Sequence, residues 1–442
     1  MFQPTTFLTH LRHDGRSGFD GAPVAKNLFT LENIKTRTHN RISSVYFIAS
    51  NASHHRNDKH TGFDAALLAK NVCTVANIKT DTQRRNSRLH VIAGKRVVFC
   101  PVEKVGSTFW RRVFYILTAP DQAKYHNPYD VPIKSALEND RRLFTLSGND
   151  DRVLKDGAFS FLFVRNPFSR LLSAYIDKLV SPNPTYWKVW GAPAVTAFRK
   201  RDDARRAVRY IRGKPIKRRF ITGHDVTFAE FLKLVINNEQ TLKQTDPHLI
   251  SVKRGCKPCA SNFKYIGKME SFAEDAFFIM DKLGLNFTRA NYTEKFGNLT
   301  TDDAITDSIR SPFSWKKDIL KYVSWDKALQ RIWLKLQMRG IIEFGIKLNL
   351  TLIEVYNINE NQFITMAREA HRKSDSNILT RQKSEVRNEA FASVALTDLE
   401  NFRDLFIEDF ILFGYDPSPN AYFQRDENAI LTSVYLNFTH LN

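Results

Sequence analysis

The segment from Pro101 to Trp110, PVEKVGSTFW, combines the residue types that bind phosphate. Gly106, Ser107 and Thr108 form a turn of small residues before a helical pattern, where backbone N–H groups are free to bind an anion. Lys104 adds a positive charge beside them. This is not a Walker A loop, whose lysine follows the second glycine, because Lys104 precedes Gly106. An ordinary turn between a strand and a helix, with a surface lysine, is the alternative interpretation.

A second segment, VRNPFSRLLSAY from Val164 to Tyr175, places an arginine and a serine where both can hold one anion. Arg165 follows a buried apolar run, and its guanidinium fork can bind a phosphate through two hydrogen bonds. Ser173 lies eight residues later, near the second turn of the next predicted helix, and offers a hydroxyl. By itself the pattern also fits an arginine at a sheet edge and a serine on a helix surface.

Strands and helices must position both segments, and the pattern of apolar residues predicts where these strands and helices lie. Arg96–Cys100 is predicted to be a strand and Thr108–Leu117 a helix. Ala158–Val164 and Phe168–Leu179 repeat this plan. Two strand–turn–helix units favour an α/β fold with a parallel sheet, whose ligands bind at the carboxyl ends of the strands. Further helices are predicted at Thr227–Asn237 and Leu399–Phe413.

Four sequence motifs follow one another between Cys100 and Tyr415. They are CPVEKVGSTFWRR at Cys100–Arg112, VRNPFSRLLSAYIDK at Val164–Lys178, CKPCASNFKYIGKME at Cys256–Glu270 and FIEDFILFGY at Phe406–Tyr415. Together they resemble the motifs of the Golgi carbohydrate sulfotransferases, which include the chondroitin 4-O-, dermatan 4-O-, HNK-1 and N-acetylgalactosamine 4-O-sulfotransferases. The resemblance implies an α/β fold with a P-loop-like parallel sheet flanked by helices, the fold of the sulfotransferases that depend on 3′-phosphoadenosine-5′-phosphosulfate (PAPS).

The resemblance also implies PAPS as the sulfuryl donor and no metal. Residues of the first motif would bind the 5′-phosphosulfate of the donor: Lys104, Val105, Gly106, Ser107 and Thr108. Lys104 would neutralise charge on the bridging oxygen as the S–O bond breaks. Arg165 and Ser173 would bind the 3′-phosphate, the group that distinguishes this donor from ATP-like nucleotides.

His248, in the sequence DPHL before the C-x-x-C motif, is predicted to be the general base. The family usually has a His-Trp pair in this region, and no tryptophan follows His248. Asp246, His224 and Glu270 are alternative candidates, and a surface or nucleotide-contacting histidine is the alternative interpretation of His248. Lys104 and His248 are therefore the predicted catalytic residues.

Glu103 departs from the family pattern, which has a proline at this position. Its negative charge would lie beside a phosphosulfate loop unless the side chain points away. Together with the missing tryptophan after His248, this departure motivates an alternative function, in which a catalytically inactive relative binds acidic glycans.

The four cysteines, Cys73, Cys100, Cys256 and Cys259, are too few for a disulfide scaffold. Neither Cys73 nor Cys100 belongs to a second C-x-x-C pair, which argues against a structural zinc site. The sequence instead predicts a local disulfide between Cys256 and Cys259, formed in an oxidising lumen.

The N-terminal part of the chain contains a duplication. Ser17–Arg41 aligns without gaps with Thr61–Arg85 at an offset of 44 residues. Two copies are too few for a solenoid, so we interpret them as a duplicated stem segment or a duplicated exon in a gene model. The predicted organisation is a stem-like segment 1–94, a catalytic domain 95–416 with a helical insertion 311–371, and a C-terminal tail 417–442.

The formal net charge of +20 favours polyanionic partners, whether nucleic acid, anionic lipid or acidic polysaccharide. Arg199–Arg219 holds eleven basic and two acidic residues and also fits a solvated surface or a nuclear signal. Beside a PAPS site, an anionic glycan or proteoglycan acceptor is the predicted partner, with contacts from Arg199, Arg205, Arg209 and Arg212, the last three on one predicted helical face. Nucleic acid is not expected, because charge alone supports it.

Six N-x-[S/T] sequons favour a lumenal chain, and they start at Asn51, Asn286, Asn291, Asn298, Asn349 and Asn437. No apolar run approaches the roughly 18 residues of a spanning helix, and the first residues lack the apolar core of a signal peptide. The resemblance implies a type II protein of the Golgi lumen. Membrane contact is expected only through an N-terminal anchor that this sequence does not show.

Overall fold

Strands and helices alternate in the first half of the chain, and helices follow one another in the second half. A computed structural model describes residues 62–78, 89–92, 95–121, 124–140, 157–199, 210–211, 214–215, 222–242, 246–285, 289–425, 433–437 and 441. The strands are β1 (His90–Ile92), β2 (Val97–Cys100), β3 (Phe159–Val164), β4 (Tyr210–Ile211), β5 (Lys214–Pro215) and β6 (Tyr265–Lys268).

The helices before residue 285 are α1 (Gly62–Val75), α2 (Ser107–Thr118), α3 (Ile133–Asp140), α4 (Pro167–Tyr175), α5 (Pro184–Tyr186), α6 (Ala192–Phe198), α7 (Phe228–Thr241), α8 (Val252–Cys256), α9 (Pro258–Ser261) and α10 (Phe272–Lys282). Those after it are α11 (Arg289–Ser314), α12 (Lys316–Ile319), α13 (Trp325–Met338), α14 (Leu352–Asn357), α15 (Glu360–Arg372), α16 (Ser376–Ala392), α17 (Leu396–Leu405), α18 (Ile407–Leu412) and α19 (Asn420–Phe423). Short turns of 3-10 helix occupy Pro128–Asp130 and Met269–Ser271, and π-helical turns occupy Ile176–Val180 and Trp187–Gly191. None of the helices in the described part of the chain is both long and apolar enough to cross a membrane.

Within the described residues, the main sheet has the strand order β1-β2-β3-β6. β2 pairs in parallel with β3, β3 pairs in parallel with β6, and β1 runs antiparallel to β2. β2 and β3 are nearly continuous apolar runs, VVFC and FSFLFV, because helices cover both faces of the sheet. This sheet with its flanking helices confirms the predicted α/β fold.

The parallel register brings three loops to one edge of the sheet. Cys100 pairs with Leu162, and Val164 pairs with Lys268, so the carboxyl ends of β2, β3 and β6 lie side by side. The loops that leave these ends precede α2, α4 and the 3-10 turn Met269–Ser271. The two phosphate-type segments of the sequence therefore meet at this edge.

The predicted elements around these loops are confirmed to within one residue at most ends, with two corrections. The predicted helix Phe168–Leu179 is α4 followed by the π-helical turn Ile176–Val180, in which one extra residue enters the helical turn. The predicted helix Leu399–Phe413 is divided at Phe406 into α17 and α18, because the backbone of Phe406 leaves helical geometry with φ −102° and ψ 9°.

Buried side chains among the described residues form two clusters. One surrounds the sheet with α1, α2 and α10, and the other joins α4 to α7, α13 and the helices that follow. Phe168, at the start of α4, belongs to the second cluster. Its ring centroid lies 5.1 Å from that of Phe391, 5.5 Å from that of Phe402 and 4.9 Å from that of Phe410. The C-terminal helices thus pack directly on the helix that follows Arg165.

The predicted local disulfide between Cys256 and Cys259 is wrong. Cys100 is bonded to Cys256 and Cys73 to Cys259, with Cα–Cα distances of 5.9 Å and 5.6 Å. Lys257 separates α8 from α9 with a left-handed backbone, φ 46°. The chain reverses there, so that Cys256 faces the end of β2 and Cys259 faces α1.

Helix α1, in the second copy of the duplication, packs on the sheet. Gly62 lies so close to Tyr265 of β6 that a Cβ at this position would be 2.1 Å from the ring, and Cys73 bonds to Cys259. α1 and β1 both fall within the segment 1–94 that the sequence assigns to a stem, yet both contact the core. The first copy, Ser17–Arg41, lies outside the described residues.

Candidate active site

The loop between β2 and α2 has the backbone of an anion-binding turn. Lys104 and Gly106 both adopt left-handed backbone angles, with φ of 70° and 79°. Glycine is required at position 106, because a Cβ there would lie 2.6 Å from the ring of Phe272. Helix α2 begins at Ser107, so the amides of Ser107 and Thr108 belong to its unpaired N-terminal turn. Val105 is buried and anchors the loop.

Lys104 forms an ion pair with a carboxylate. Its Nζ lies 2.7 Å from Oδ2 of Asp177, in the π-helical turn that follows α4. Burial lowers the pKa of Lys104 to about 8, and the charge of Asp177 opposes this effect. The ammonium is therefore protonated at neutral pH.

Arg165 leaves β3 and reaches the same loop. Its Nη1 donates to the carbonyl oxygen of Lys104 at 3.5 Å. Burial lowers the pKa of Arg165 to about 10, which leaves the guanidinium charged, and Glu270 opposes the effect of burial. Ser173 is half-buried on α4, two turns after Asn166, whose side chain caps the helix. The structure thus brings Arg165 and Lys104 together.

Arg170 connects the loop to the segment that carries His248, and the sequence analysis missed it. Nε donates to the carbonyl of Glu103 at 3.0 Å, Nη1 to that of Ile250 at 2.8 Å and Nη2 to that of Pro247 at 2.9 Å. The side chain is buried. An arginine on the apolar face of the predicted helix FSRLLSAY was the available signal, because a buried charge needs specific partners.

His248 is held by Asp246. Its Nδ1 lies 2.7 Å from Oδ1 of Asp246, and its backbone N–H donates to the same oxygen at 2.9 Å. Because a carboxylate can only accept, Nδ1 carries the proton and Nε2 is left with a free lone pair. Burial lowers the pKa of His248, opposed by the hydrogen bond to Asp246, so the ring is neutral at pH 7. No tryptophan follows His248 in the sequence, but the ring centroid of Trp190 lies 5.8 Å from that of His248.

Glu103 is neutralised by an arginine. Nη2 of Arg111 lies 2.6 Å from Oε1, and the hydroxyl of Ser107 donates to Oε2 at 2.6 Å. Burial alone would raise the pKa of Glu103, but the charges of Arg111 and His248 and the hydrogen bonds from Arg111 and Ser107 together outweigh it and lower the pKa to about 2. Oε2 also lies 4.0 Å from Nε2 of His248. Glu103, at the position where the family has proline, therefore places a carboxylate beside His248, and Arg111 neutralises its charge.

Two of the alternative candidates for the general base, His224 and Glu270, lie in surroundings that differ from those of His248. His224 is buried, hydrogen-bonded to Thr222 and packed 5.7 Å from the ring of Trp187 in the helical cluster. Glu270 accepts from the hydroxyl of Tyr415 at 2.9 Å, beside Arg165. Arg165 and His248 both line one narrow cleft. His248 is therefore the best-placed candidate.

Arg199, predicted to contact an acceptor, forms structural ion pairs. It lies 2.8 Å from Asp225 and 2.7 Å from Glu230, the residue that completes the capping box of α7. The three arginines predicted on one helical face, Arg205, Arg209 and Arg212, lie outside the described residues. Strand β4 lies between Arg209 and Arg212, so the expected continuous helix through the three arginines is wrong. No group of three or more potential ligands in the described chain is placed to hold a metal ion.

Comparison with known proteins agrees with this geometry. A model described as "Sulfotransferase family" matches residues 87–336, more than half of the 442-residue chain. The chain belongs to the sulfotransferase family. The matched range includes Lys104, Arg165 and His248 of this sulfotransferase, and it extends into the segment 311–371 that the sequence treats as an insertion.

Several curated relatives of this sulfotransferase are carbohydrate sulfotransferases. Carbohydrate sulfotransferase 12 of Xenopus laevis is 26% identical over 248 residues, which cover 53% of this chain and 57% of the relative. Carbohydrate sulfotransferase 14 of Danio rerio is 29% identical over 192 residues, 43% of this chain and 46% of the relative. Carbohydrate sulfotransferase 8 of Homo sapiens is 33% identical over 188 residues, 42% and 40%. The chain spans about half the length of the curated relatives it matches. No solved structure matches it significantly.

Proposed function

We propose that this sulfotransferase transfers the sulfuryl group of PAPS to a hydroxyl of a glycan, with chondroitin, dermatan or an N-acetylgalactosamine-type sugar as the acceptor. The observation that carries the proposal is the convergence of Lys104, Arg165 and neutral His248 around the β2–α2 loop. Sulfuryl transfer needs in-line positioning, stabilisation of spread negative charge and a base for the acceptor hydroxyl. These three groups supply those needs.

The donor would be held by the two phosphate-type segments. The amides of Gly106, Ser107 and Thr108 bind the 5′-phosphosulfate at the start of α2, and Lys104 neutralises the bridging oxygen. Arg165 and Ser173 bind the 3′-phosphate. The two buried cations that the loop brings to one sheet edge match the negative charge of such a donor.

The acceptor hydroxyl would lose its proton to Nε2 of His248. Its oxygen forms a bond to sulfur while the bond from sulfur to the bridging oxygen breaks, and the electron pair of that bond remains on the phosphate of adenosine 3′,5′-bisphosphate. Asp246 fixes the tautomer of His248 that can accept the proton. Lys104 stabilises the negative charge that develops on the leaving oxygen.

The family and the covalent structure support the proposed acceptor and compartment. The relatives are named for carbohydrate sulfotransfer, which supports a glycan acceptor. Both disulfides suit an oxidising compartment, and we assign the protein to the Golgi lumen as a type II membrane protein. Arg205, Arg209 and Arg212 remain the candidate acceptor contacts, whereas Arg199 is already paired.

Transfer of labelled sulfate tests the proposal. Purified protein is incubated with ³⁵S-labelled PAPS and chondroitin, dermatan or chemically desulfated glycans, and radioactivity in the glycan is measured. We expect labelling, and we expect Lys104→Ala to reduce it by about 10²-fold or more. Lys321→Ala is the matched control, since Lys321 lies in an exposed ion pair with Asp318. Absence of transfer to every glycan, together with no binding of adenosine 3′,5′-bisphosphate, would contradict the proposal.

A further inference from the structure

Asp177 is the common partner of three lysines from three parts of the chain. Oδ2 lies 2.7 Å from Nζ of Lys104 and 3.1 Å from Nζ of Lys178, and Oδ1 lies 2.8 Å from Nζ of Lys335. The side chain of Lys335 is only 4% exposed and that of Asp177 18%. The cluster contains three positive charges and one negative charge, all shielded from bulk water.

Helix α13 fixes one side of this cluster. Arg331, one turn before Lys335, donates from Nε to the carbonyl of Val180 at 2.9 Å and from Nη2 to that of Leu179 at 2.8 Å. Both carbonyls belong to the π-helical turn that carries Asp177. Arg331 therefore holds the backbone of the turn and Lys335 holds its carboxylate. Lys104 lies on the β2–α2 loop, whereas Lys178 and Lys335 lie on helical segments.

We propose that Asp177 is a positioning residue that binds Lys104 while no donor is present and releases it to the donor phosphosulfate, and that Lys335 makes this release possible. The inference rests on the proposed function, because it needs a polyanionic donor at the β2–α2 loop. It assigns roles to two residues, Asp177 and Lys335, beyond those that bind the donor directly.

The charges explain why a second lysine on Asp177 matters. The carboxylate and the phosphosulfate compete for the same ammonium of Lys104. A buried carboxylate that lost its only counter-ion would be strongly destabilised. When Lys104 leaves, Lys178 and Lys335 still neutralise Asp177. Release of Lys104 therefore leaves no unpaired buried charge.

The two residues should change donor affinity in opposite directions. Asp177→Asn removes the competitor, so in a binding assay at about pH 6, chosen to keep Lys104 protonated, we expect the Kd of adenosine 3′,5′-bisphosphate to fall by about tenfold. The kcat for sulfate transfer should also fall, because Lys104 is no longer oriented. Lys335→Met leaves Asp177 more dependent on Lys104, so we expect the Kd to rise by about tenfold. Simple destabilisation of the fold would weaken binding in both variants.

A pH profile gives a readout that a purely structural role would not change. The charge of Asp177 raises the pKa of Lys104, whereas burial, Lys178 and Arg339 lower it, and the resulting value is about 8. In Asp177→Asn the pKa of Lys104 therefore falls below 8. The alkaline limb of kcat/KM, which reports the free enzyme, should move to lower pH.

A double-mutant cycle separates the proposed coupling from simple charge attraction. Asp177→Asn/Lys335→Met removes one negative and one positive charge, so its net charge matches that of the wild type. We expect Lys335→Met to weaken nucleotide binding much less in the Asp177→Asn background than in the wild type. An equal effect in both backgrounds would overturn the inference, since Lys335 would then act as an independent cation.

Controls separate failure of the inference from failure of the proposed function. Thermal unfolding of each variant checks that it folds, and Lys321→Met, in an exposed ion pair, should bind like the wild type. If the wild type neither binds adenosine 3′,5′-bisphosphate nor transfers sulfate, the proposed function fails. If the wild type does both and the two single variants change affinity in the same direction, the positioning role of Asp177 and Lys335 is wrong. If Asp177→Asn alone does not fold, the double variant is compared with Lys335→Met: a lower Kd in the double variant is expected, and an equal or higher Kd overturns the inference.

Discussion

Three carboxylates set the charge state of the groups around the β2–α2 loop. Asp177 keeps Lys104 protonated against burial, Asp246 keeps the proton of His248 on Nδ1, and Glu103 neutralises Arg111. Each carboxylate lies within hydrogen-bond distance of its partner. Removal of each one should therefore have a separate and measurable effect.

Asp246→Ala should impair the base more than it impairs donor binding. The hydrogen bond from Asp246 raises the pKa of His248 against the effect of burial, so its loss lowers this pKa and frees the tautomer. We expect kcat to fall by about 10²-fold, the donor KM to change little, and the acid limb of kcat/KM to move to lower pH. Steady-state kinetics between pH 5 and pH 9 measure this, with the exposed Asp318→Ala as control. An unshifted acid limb would count against His248 as the base.

Glu103→Gln should destabilise the protein in a pH-dependent way. The pKa of Glu103 is lowered from 4.5 to about 2, so its ionised form stabilises the folded state by about 3 kcal/mol. This contribution is complete above pH 4.5 and is lost as the pH falls from 4.5 towards 2. Urea unfolding of both proteins at pH 7 and pH 3 measures the difference in unfolding free energy. An equal difference at both pH values would refute the ion pair with Arg111 as its source.

At the scale of elements, the local sequence predicts the β2–α2 loop but not the long-range hydrogen bonds that connect it to the rest of the chain. The run VVFC, the turn at Gly106 and the helical spacing after Ser107 are neighbours in the sequence, so β2, the loop and α2 could be predicted together. Asn166 and Pro167 likewise mark the start of α4. Arg170 could not be assigned in this way, because its three carbonyl partners lie 67 to 80 residues away.

Arg170→Met should loosen the contact between the loop and the segment that carries His248. The substitution leaves three carbonyl oxygens without their donor, and we expect the unfolding free energy to fall by about 3 kcal/mol. We also expect kcat/KM to fall, because Lys104 and His248 lose their common support. Chemical denaturation and transfer assays measure both effects. Arg381→Met, at an exposed position on α16, is the matched control and should change neither quantity.

At the scale of the whole molecule, the site lies where two cores meet. The sheet supplies Lys104 and Arg165, while the helical cluster supplies Lys335 and packs on Phe168 of α4. Asp409 of α18 joins the two as well, because its carboxylate accepts the backbone N–H groups of Val252 and Lys253 at 2.6 Å and 2.7 Å. The C-terminal helices therefore pack directly on the elements that carry the candidate site.

The two disulfides should connect distant peptides and contribute to global stability. Digestion without reduction, followed by mass spectrometry, should find Cys73 linked to Cys259 and Cys100 linked to Cys256. Replacement of Cys73 and Cys259 by serine should lower the unfolding free energy by about 2–4 kcal/mol, because the bond closes a loop of 186 residues. Peptides joined through Cys256 and Cys259 would contradict the structure. The control for the serine variant is the wild-type protein, unfolded in non-reducing buffer so that both disulfides stay intact.

The disulfide pairing could not be predicted from spacing. Cys256 and Cys259 are three residues apart, which favours a local bond, whereas the observed bonds span 156 and 186 residues. The true partners become neighbours only when β2, β3 and β6 are assembled and α1 packs on β6. The same holds for Lys335, whose partner Asp177 lies 158 positions earlier.

The bond between Cys73 and Cys259 also bears on which of the two duplicated segments can pack on β6. The first copy of the duplication has Phe29 at the position of Cys73, and Pro23 at the position of Leu67 in the middle of α1. A proline there would interrupt the helix, and a phenylalanine cannot form the bond. The disulfide to Cys259 can therefore fix only the second copy of the duplication.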